Sequence, residues 1–128
     1  MRAVTIGRLL GGLRVGLGAA HVVAPAPISA PLIGSDARRP GALVFIEAFG
    51  VRDEALGLGT ASARTDEDLR RWLLTAAVID MMDTVAVLRH FHELPERRRW
   101  AALMAPGIPA ILGAVLIAAI GRDMAEKE

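Results

Sequence analysis

The sequence predicts an all-α fold in the form of a four-helix transmembrane bundle, a single integral membrane domain spanning residues 1–128. Hydrophobic residues make up 53% of the chain, above the roughly 45–50% of soluble domains, and they fall into four blocks separated by short polar clusters. The last block, Trp100 to Gly121, contains no ionisable residue. It therefore meets the length of about 20 residues that a membrane span requires. Strand-like alternation of useful length is absent from the sequence.

The four blocks predict helices with approximate bounds of 4–23, 41–63, 69–90 and 100–121. Three prolines in the apolar stretch from Ala24 to Gly34 predict that the first helix breaks there, and that the stretch caps the bundle or dips into it. Thr65 and Asp68 resemble a capping box at the start of the third helix. Because Arg8 and Arg14 interrupt the apolar core that a secretory signal needs, we interpret the first segment as a retained helix.

Small residues recur at a spacing of four along two of the predicted helices. Gly12, Gly16 and Ala20 do so in the first helix, and Gly57 and Ala61 do so in the second. Such spacing forms a stripe on which another helix can approach closely. We therefore expect both stripes to be helix contacts.

The second helix carries four charges inside apolar sequence, between Glu47 and Glu54. In the third helix, Asp80 and Asp83 lie one turn apart on the same face. Insertion scales put a charged Asp or Arg at mid-helix at roughly 2.5–3.5 kcal/mol, so these groups need partners inside the bundle. We expect a shared internal cluster, with these ionisable residues: Arg14, His21, Glu47, Arg52, Asp53, Glu54, Asp80 and Asp83.

Three interpretations of this cluster remain open, and the residues assign no reaction by themselves. The first is a structural lock, in which Arg14 and Arg52 bind carboxylates and fix which helices are neighbours. The second is a membrane-embedded acid–base enzyme, an isomerase, cyclase or hydrolase, acting on a lipophilic substrate. The third is a proton-linked transporter of small solutes, which would need a second copy of the chain to form a path.

The enzyme interpretation assigns provisional roles to all eight residues. Asp80 and Asp83 would divide the acid and base roles, with Arg52 steadying developing negative charge. The catalytic candidates are Asp80, Asp83, Glu47 and Arg52, and the ligand-binding candidates are Arg14, His21, Asp53 and Glu54. Five carboxylates face two arginines and one histidine, and this surplus of acids favours chemistry over locking alone.

Composition narrows the expected partners and location. A net charge of +1 without a basic face argues against nucleic acid, and the absence of cysteine excludes disulfides and thiolate metal sites. His90 and His92 diverge on a helix, so the sequence predicts a charged interfacial loop there, and neither a metal nor a cofactor is expected.

A soluble bundle would need amphipathic helices, whereas the fourth segment is uniformly apolar. We expect a multi-pass protein of the cell membrane with three partners: the lipid bilayer, a lipophilic small molecule and a second copy.

Several short motifs resemble a group of small bacterial four-span integral membrane proteins classed as a domain of unknown function. The matching positions are Arg14, Gly18 and Pro25, then Gly50-Val-Arg-Asp53 with Leu56-Gly57, then Asp80 and Asp83. The resemblance extends over most of the chain. It implies a four-helix membrane protein and brings no established reaction.

Overall fold

A computed structural model describes residues 2–126, which are mostly helical and contain no β-strand. The helices are α1 (Arg2–Val23), α2 (Pro25–Ile33), α3 (Pro40–Ser62), α4 (Asp66–Arg89) and α5 (Arg99–Ala125), with a 3-10 turn (Gly34–Arg38) between α2 and α3. The all-α prediction is confirmed. The four predicted helices correspond to α1, α3, α4 and α5.

The proline-rich stretch after α1 forms a helix of its own. The prediction that α1 ends here is confirmed, but the stretch is helical where a break was expected. Pro25 occupies the first helical turn, where a backbone N–H has no intrahelical partner and its loss costs little. Gly34 ends α2 with a φ of +68°, a conformation open to glycine. Arg98 then fastens α2 to the start of α5, donating to the Ala30 carbonyl at 2.9 Å.

The predicted cap of α4 is confirmed. The Asp68 backbone N–H donates to the Thr65 hydroxyl at 3.0 Å, directly before the helix begins at Asp66. Three acidic residues in the first turn suit the positive end of the helix dipole. The start of α4 is thus specified locally, by side chains within one turn.

The α1 and α3 helices approach each other closely through glycine. A Cβ atom added at Gly18 would lie 2.6 Å from the Gly50 carbonyl oxygen, and one at Gly57 would lie 2.6 Å from the Gly11 carbonyl oxygen. Both distances are far below van der Waals contact, so only glycine permits this approach. The predicted role of Gly57 as a contact is confirmed.

The predicted small-residue stripe of α1 is wrong. Gly12 and Gly16 are exposed, and a Cβ at either would meet no atom within 4 Å. The contact face instead carries Gly11 and Gly18, which are seven residues apart and therefore return to the same side of the helix after two turns. Gly12 and Gly16 lie on a different side of the helix from Gly11 and Gly18.

The helices form two pairs, α1 with α3 and α4 with α5, and the pairs meet most closely at one end. There, apolar side chains from the start of α4 and the end of α5 form a buried core against α1 and the end of α3. Its buried members are Ala63, Leu69, Leu73, Leu116 and Ile120. Towards the other end the pairs separate around a cavity.

Two of the described helices, α1 and α5, are long and apolar enough to cross a membrane by length and composition, with mean hydropathies of 1.2 and 2.2. Four such helices were expected. In α3 the four charges between Glu47 and Glu54 lower the apolar content, and in α4 the acidic first turn and the two aspartates do the same.

Candidate functional site

A cavity of about 660 Å³ lies between the two helix pairs and is lined by residues of all five helices. Its wall is mostly leucine, isoleucine, proline and alanine. Five ionisable residues interrupt this apolar wall: Arg14, His21, Asp53, Asp80 and Asp83. Pockets that bind small molecules have this size, roughly 300–1,000 Å³, and this mixture of apolar surface with few polar groups.

Arg14 joins three helices at the cavity wall. Its guanidinium, on α1, donates to the Asp80 carboxylate of α4. Its Nε lies 3.7 Å from Asp53 Oδ1 on α3. Asp53 and Asp80 are only 6% and 4% exposed, so both carboxylates depend on the guanidinium to balance their charge.

Arg52 makes the second link, from α3 to α4. Its Nη2 lies 2.6 Å from Asp83 Oδ2, and its Nη1 lies 3.3 Å from Asp83 Oδ1. The same Nη2 is 3.9 Å from Asp53 Oδ1, so Asp53 lies between the two guanidinium groups. The Arg52 guanidinium also lies over the Phe49 ring, 4.5 Å from its centroid, in a cation–π contact.

Two atoms of this cluster are buried without a hydrogen-bond partner among the described residues, namely Asp53 Oδ1 and Arg52 Nε. Both guanidinium groups are near Asp53 Oδ1, but at 3.7 and 3.9 Å they are too distant to hydrogen-bond to it. A buried acceptor without a donor is uncommon in folded proteins and costs about 1–3 kcal/mol. Asp53 Oδ1 is therefore the atom of the cluster that is most in need of a donor.

His21 lines the cavity beside the cluster. Its Nδ1 lies 2.8 Å from the Leu17 carbonyl oxygen, and because a carbonyl only accepts, Nδ1 is the donor. The ring packs edge-on against Phe49 with centroids 5.3 Å apart. These contacts fix the imidazole plane and leave Nε2 as its remaining polar atom.

Two of the predicted site residues lie apart from the cavity and from its ion pairs. Glu47 is exposed on the surface of α3. Glu54 is half-buried beside Gly18 in the contact between α1 and α3. The remaining six predicted residues come together as expected, five on the wall and Arg52 directly behind it.

Sequence reasoning missed the parts of the site that carry no charge. Phe49 contacts both His21 and Arg52, and α2 contributes Ile28 and Leu32 to the wall. Phe49 sits three residues before Arg52, a spacing that places both side chains on one face of α3. The position of α2 depends on Arg98, which is distant in sequence and gave no local signal.

The arrangement has the components that proton transfer requires. Three carboxylates can accept or return a proton, and two fixed guanidinium groups can stabilise negative charge beside them. Arg14, Asp53 and Asp80 are largely buried against the apolar wall, which strengthens the electrostatic interactions among them.

Comparison of the chain with protein-family models, with curated protein sequences and with solved structures finds no match. The resemblance to small four-span membrane proteins therefore stays a prediction.

Proposed function

We propose that this protein is a multi-pass membrane protein whose α1, α3, α4 and α5 all cross the bilayer, and whose cavity holds a lipophilic molecule for acid–base chemistry. The observation that carries the proposal is the ion-paired cluster of three aspartates and two arginines at the wall of an apolar cavity. The family resemblance drawn from the sequence motifs agrees with the four-span part of the proposal.

The distribution of side chains supports four spans. Apolar side chains point outward from α3 and α4 as they do from α1 and α5: Phe45 is 78% exposed and Met82 is 64% exposed. Asp53 and Asp80, near the middle of these helices, are buried, whereas Glu47 of α3 is exposed. This pattern is the reverse of a soluble bundle and suits a hydrocarbon solvent, in which ionisable residues face the bundle interior.

The two helices of highest hydropathy, α1 and α5, are also largely exposed. Only 17% of the apolar stretch in α1 and 22% of that in α5 are buried within the structure. The core helix of a soluble protein would be largely covered by its neighbours. Exposed apolar area on this scale needs an apolar environment, which a bilayer provides.

The cluster suggests roles for its members in the proposed chemistry. Asp80 and Asp83 each have an arginine partner that fixes the carboxylate against the cavity. One would take a proton from the bound molecule while the other returns one, as in isomerisation of a double bond or ring closure. Arg14 and Arg52 would stabilise the negative charge that develops as the proton leaves.

The first experiment asks whether the cavity holds a lipophilic molecule. The protein is purified in lipid nanodiscs, and molecules that remain bound are identified by native mass spectrometry. We expect Ala105→Phe, whose side chain would fill the cavity from α5, to lose them. Ala114→Phe places the same ring on the outer surface of α5 and should retain them. Equal retention by both variants would contradict binding in this cavity.

The second experiment asks whether the aspartates perform chemistry. Protein in nanodiscs is incubated with a total membrane lipid extract in D₂O, and changes in lipid mass are followed. An acid–base enzyme predicts that Asp80→Asn accumulates normally but abolishes the mass change seen with the wild type. A structural lock predicts loss of accumulation instead.

A structural role for the ion pairs is the second candidate function, and a specific observation favours it. Arg14 and Arg52 join the α1–α3 pair to α4 in the region where the two helix pairs separate.

Proton-linked transport would use the same carboxylates. It predicts that Asp80→Asn abolishes pH-driven flux in vesicles while leaving lipid masses unchanged.

A further inference from the structure

The cavity is open on one side, between α1 and α5 and beside α2. Lining residues of these three helices are also exposed on the outside: Leu13 is 60% exposed, Ile28 36% and Ile108 46%. The lining residues of α4, in contrast, are buried or half-buried. The opening therefore lies on an apolar surface that the proposed function places in the bilayer. A lipid acyl chain can enter there from the surrounding hydrocarbon.

A basic region lies at the end of the bundle where α2 meets the start of α5. The two connections at this end, residues 36–39 and 89–99, carry six arginines and three acidic residues. Arg97, Arg98 and Arg99 form no ion pair with a carboxylate of residues 2–126. The first turn of α5 contains no acidic residue, so the positive end of its helix dipole has no negative side chain beside it. This end of the bundle therefore favours an anion.

Arg98 is fixed at the edge of the opening. Its Nη1 donates to the carbonyls of Ala30 and Pro31 at 2.9 and 3.4 Å, and Pro31 itself lines the cavity. Its Nε and Nη2 donate to no residue of the described chain, and neither atom is buried. The N–H groups of a guanidinium can hold a phosphate through two parallel hydrogen bonds. Arg98 thus offers two unused donors next to the cavity.

Gly34 leaves these two donors uncovered. A Cβ atom at this position would lie 3.2 Å from Arg98 Nε and 3.6 Å from Arg98 Nη2. Any larger side chain would therefore stand against the edge of the guanidinium that carries both atoms. Glycine keeps that edge open, on a half-buried arginine that has no acidic partner among residues 2–126.

We infer that the lipophilic molecule of the proposed function is an anionic phospholipid, with its phosphate on the Nε and Nη2 edge of Arg98 and one acyl chain in the cavity. This inference depends on the proposed function, since it names the class of molecule that the cavity takes. Basic pockets between membrane helices bind anionic lipid head groups in this way. The acyl chain, and not the head group, then lies beside Asp80 and Asp83, which line the cavity.

Other molecules fit the two features less well. Phosphatidylcholine offers a phosphate, but its choline group already balances the charge. A neutral lipid such as diacylglycerol has an acyl chain and no anion for Arg98. Inorganic phosphate supplies the anion and leaves the apolar cavity unfilled.

Competition between two phospholipids tests the inference. The full-length protein is placed in nanodiscs that contain equal amounts of phosphatidylglycerol and phosphatidylcholine with the same acyl chains, and native mass spectrometry measures how much of each stays bound. We expect phosphatidylglycerol to exceed phosphatidylcholine at least about fivefold, the effect of one arginine on an anionic head group. Inorganic phosphate at the same concentration as the lipid should not displace it, because it lacks the acyl chain.

Variants locate the preference. Arg98→Gln should bind the two lipids in equal amounts, because the amide carries no charge. If Arg98 only held α2 in place, the variant would lose both lipids alike and keep their ratio. Arg64→Gln makes the same change on an exposed arginine at the opposite end of the bundle and should retain the wild-type ratio. If Arg98→Gln does not fold, as judged by size-exclusion elution, the lipid ratio on the wild type and the loss of both lipids from Ala105→Phe decide the question.

The possible failures are distinguishable. Equal amounts of the two lipids on the wild type, or displacement by inorganic phosphate, would overturn the inference and leave the proposed cavity intact. Absence of both phospholipids from a protein that still retains another lipophilic molecule would do the same. Retention of no lipophilic molecule at all would overturn the proposed function as well. A preference for phosphatidylglycerol that persists in a folded Arg98→Gln variant would overturn the placement of the head group on Arg98.

Discussion

Arg52 and Asp83 form a two-point ion pair, in which Nη1 and Nη2 of the guanidinium approach the two carboxylate oxygens at 3.3 and 2.6 Å. The pair joins α3 to α4 beside the cavity, where the two helix pairs are otherwise apart. Arg14 does the same from α1 to Asp80. The charged cluster therefore connects the two halves of the bundle, whatever else it does.

The first prediction concerns the energetic ranking of the ion pairs. Arg14→Met should reduce stability most, because it leaves Asp80 buried without a counter-charge and leaves Asp53 with Arg52 alone, 3.9 Å away, a loss of about 3–5 kcal/mol for a buried pair. Arg52→Met should cost less, since its side chain and that of Asp83 are 33% and 31% exposed and partly screened.

Arg71→Met is the matched control for that ranking. Arg71 pairs with Glu67 on the surface of α4, where an exposed pair contributes roughly 0–1 kcal/mol. Reversible unfolding in mixed detergent micelles, followed by circular dichroism, measures all three variants. An equal loss for Arg14→Met and Arg71→Met would show that the cluster does not hold the helices together.

The second prediction concerns the two glycine faces of α1. Gly18→Ala should separate α1 from α3 and lower the melting temperature, because its Cβ would lie 2.6 Å from a backbone carbonyl that cannot rotate away. Gly12→Ala meets no atom within 4 Å and should stabilise the helix by up to about 1 kcal/mol, the difference in helix propensity. Thermal unfolding of the purified protein measures both.

A lower melting temperature for Gly12→Ala than for Gly18→Ala would contradict the prediction. It would mean that α3 contacts the face of α1 that carries Gly12. Gly16→Ala is a second control on the same open face. Both controls should behave alike, since neither added methyl group has a neighbour.

The third prediction concerns the attachment of α2 to α5. Arg98 donates to the Ala30 and Pro31 carbonyls at 2.9 and 3.4 Å, and α2 covers one side of the cavity. Arg98→Gln should loosen this attachment, so backbone amides of α2 should exchange with D₂O faster while those of α3 stay unchanged. Arg97→Gln removes an exposed neighbouring charge and should leave the exchange of α2 as it is. Equal exchange of α2 in all three proteins would show that Arg98 does not hold it.

The helices were predictable because their signals are local. Residue spacing, the Thr65 cap and the apolar blocks place α1, α3, α4 and α5 within a few residues of their ends. The residues that come together at the cavity were also largely predictable, because a charged side chain inside an apolar bundle needs a partner of opposite charge. Arg14 pairs with Asp53 and Asp80, and Arg52 pairs with Asp83.

The features that could not be predicted from the sequence depend on contacts between segments that are distant along the chain. The choice of Gly11 and Gly18 over Gly12 and Gly16 follows from the position of α3, which periodicity in α1 alone does not specify. The attachment of α2 to the start of α5 likewise depends on a side chain distant in sequence, that of Arg98. The exposure of Glu47 follows from the rotation of α3 that brings Asp53 inward.

The backbone contact between α1 and α3 has a mechanical consequence. Where Gly18 meets Gly50 and Gly57 meets Gly11, the two backbones are in direct contact, so α1 and α3 have little room to shift against each other. The apolar core around Leu69 and Ile120 closes the opposite end. A wider cavity therefore requires the α4–α5 pair to move away from the α1–α3 pair, which would break the ion pairs of Arg14 with Asp80 and of Arg52 with Asp83.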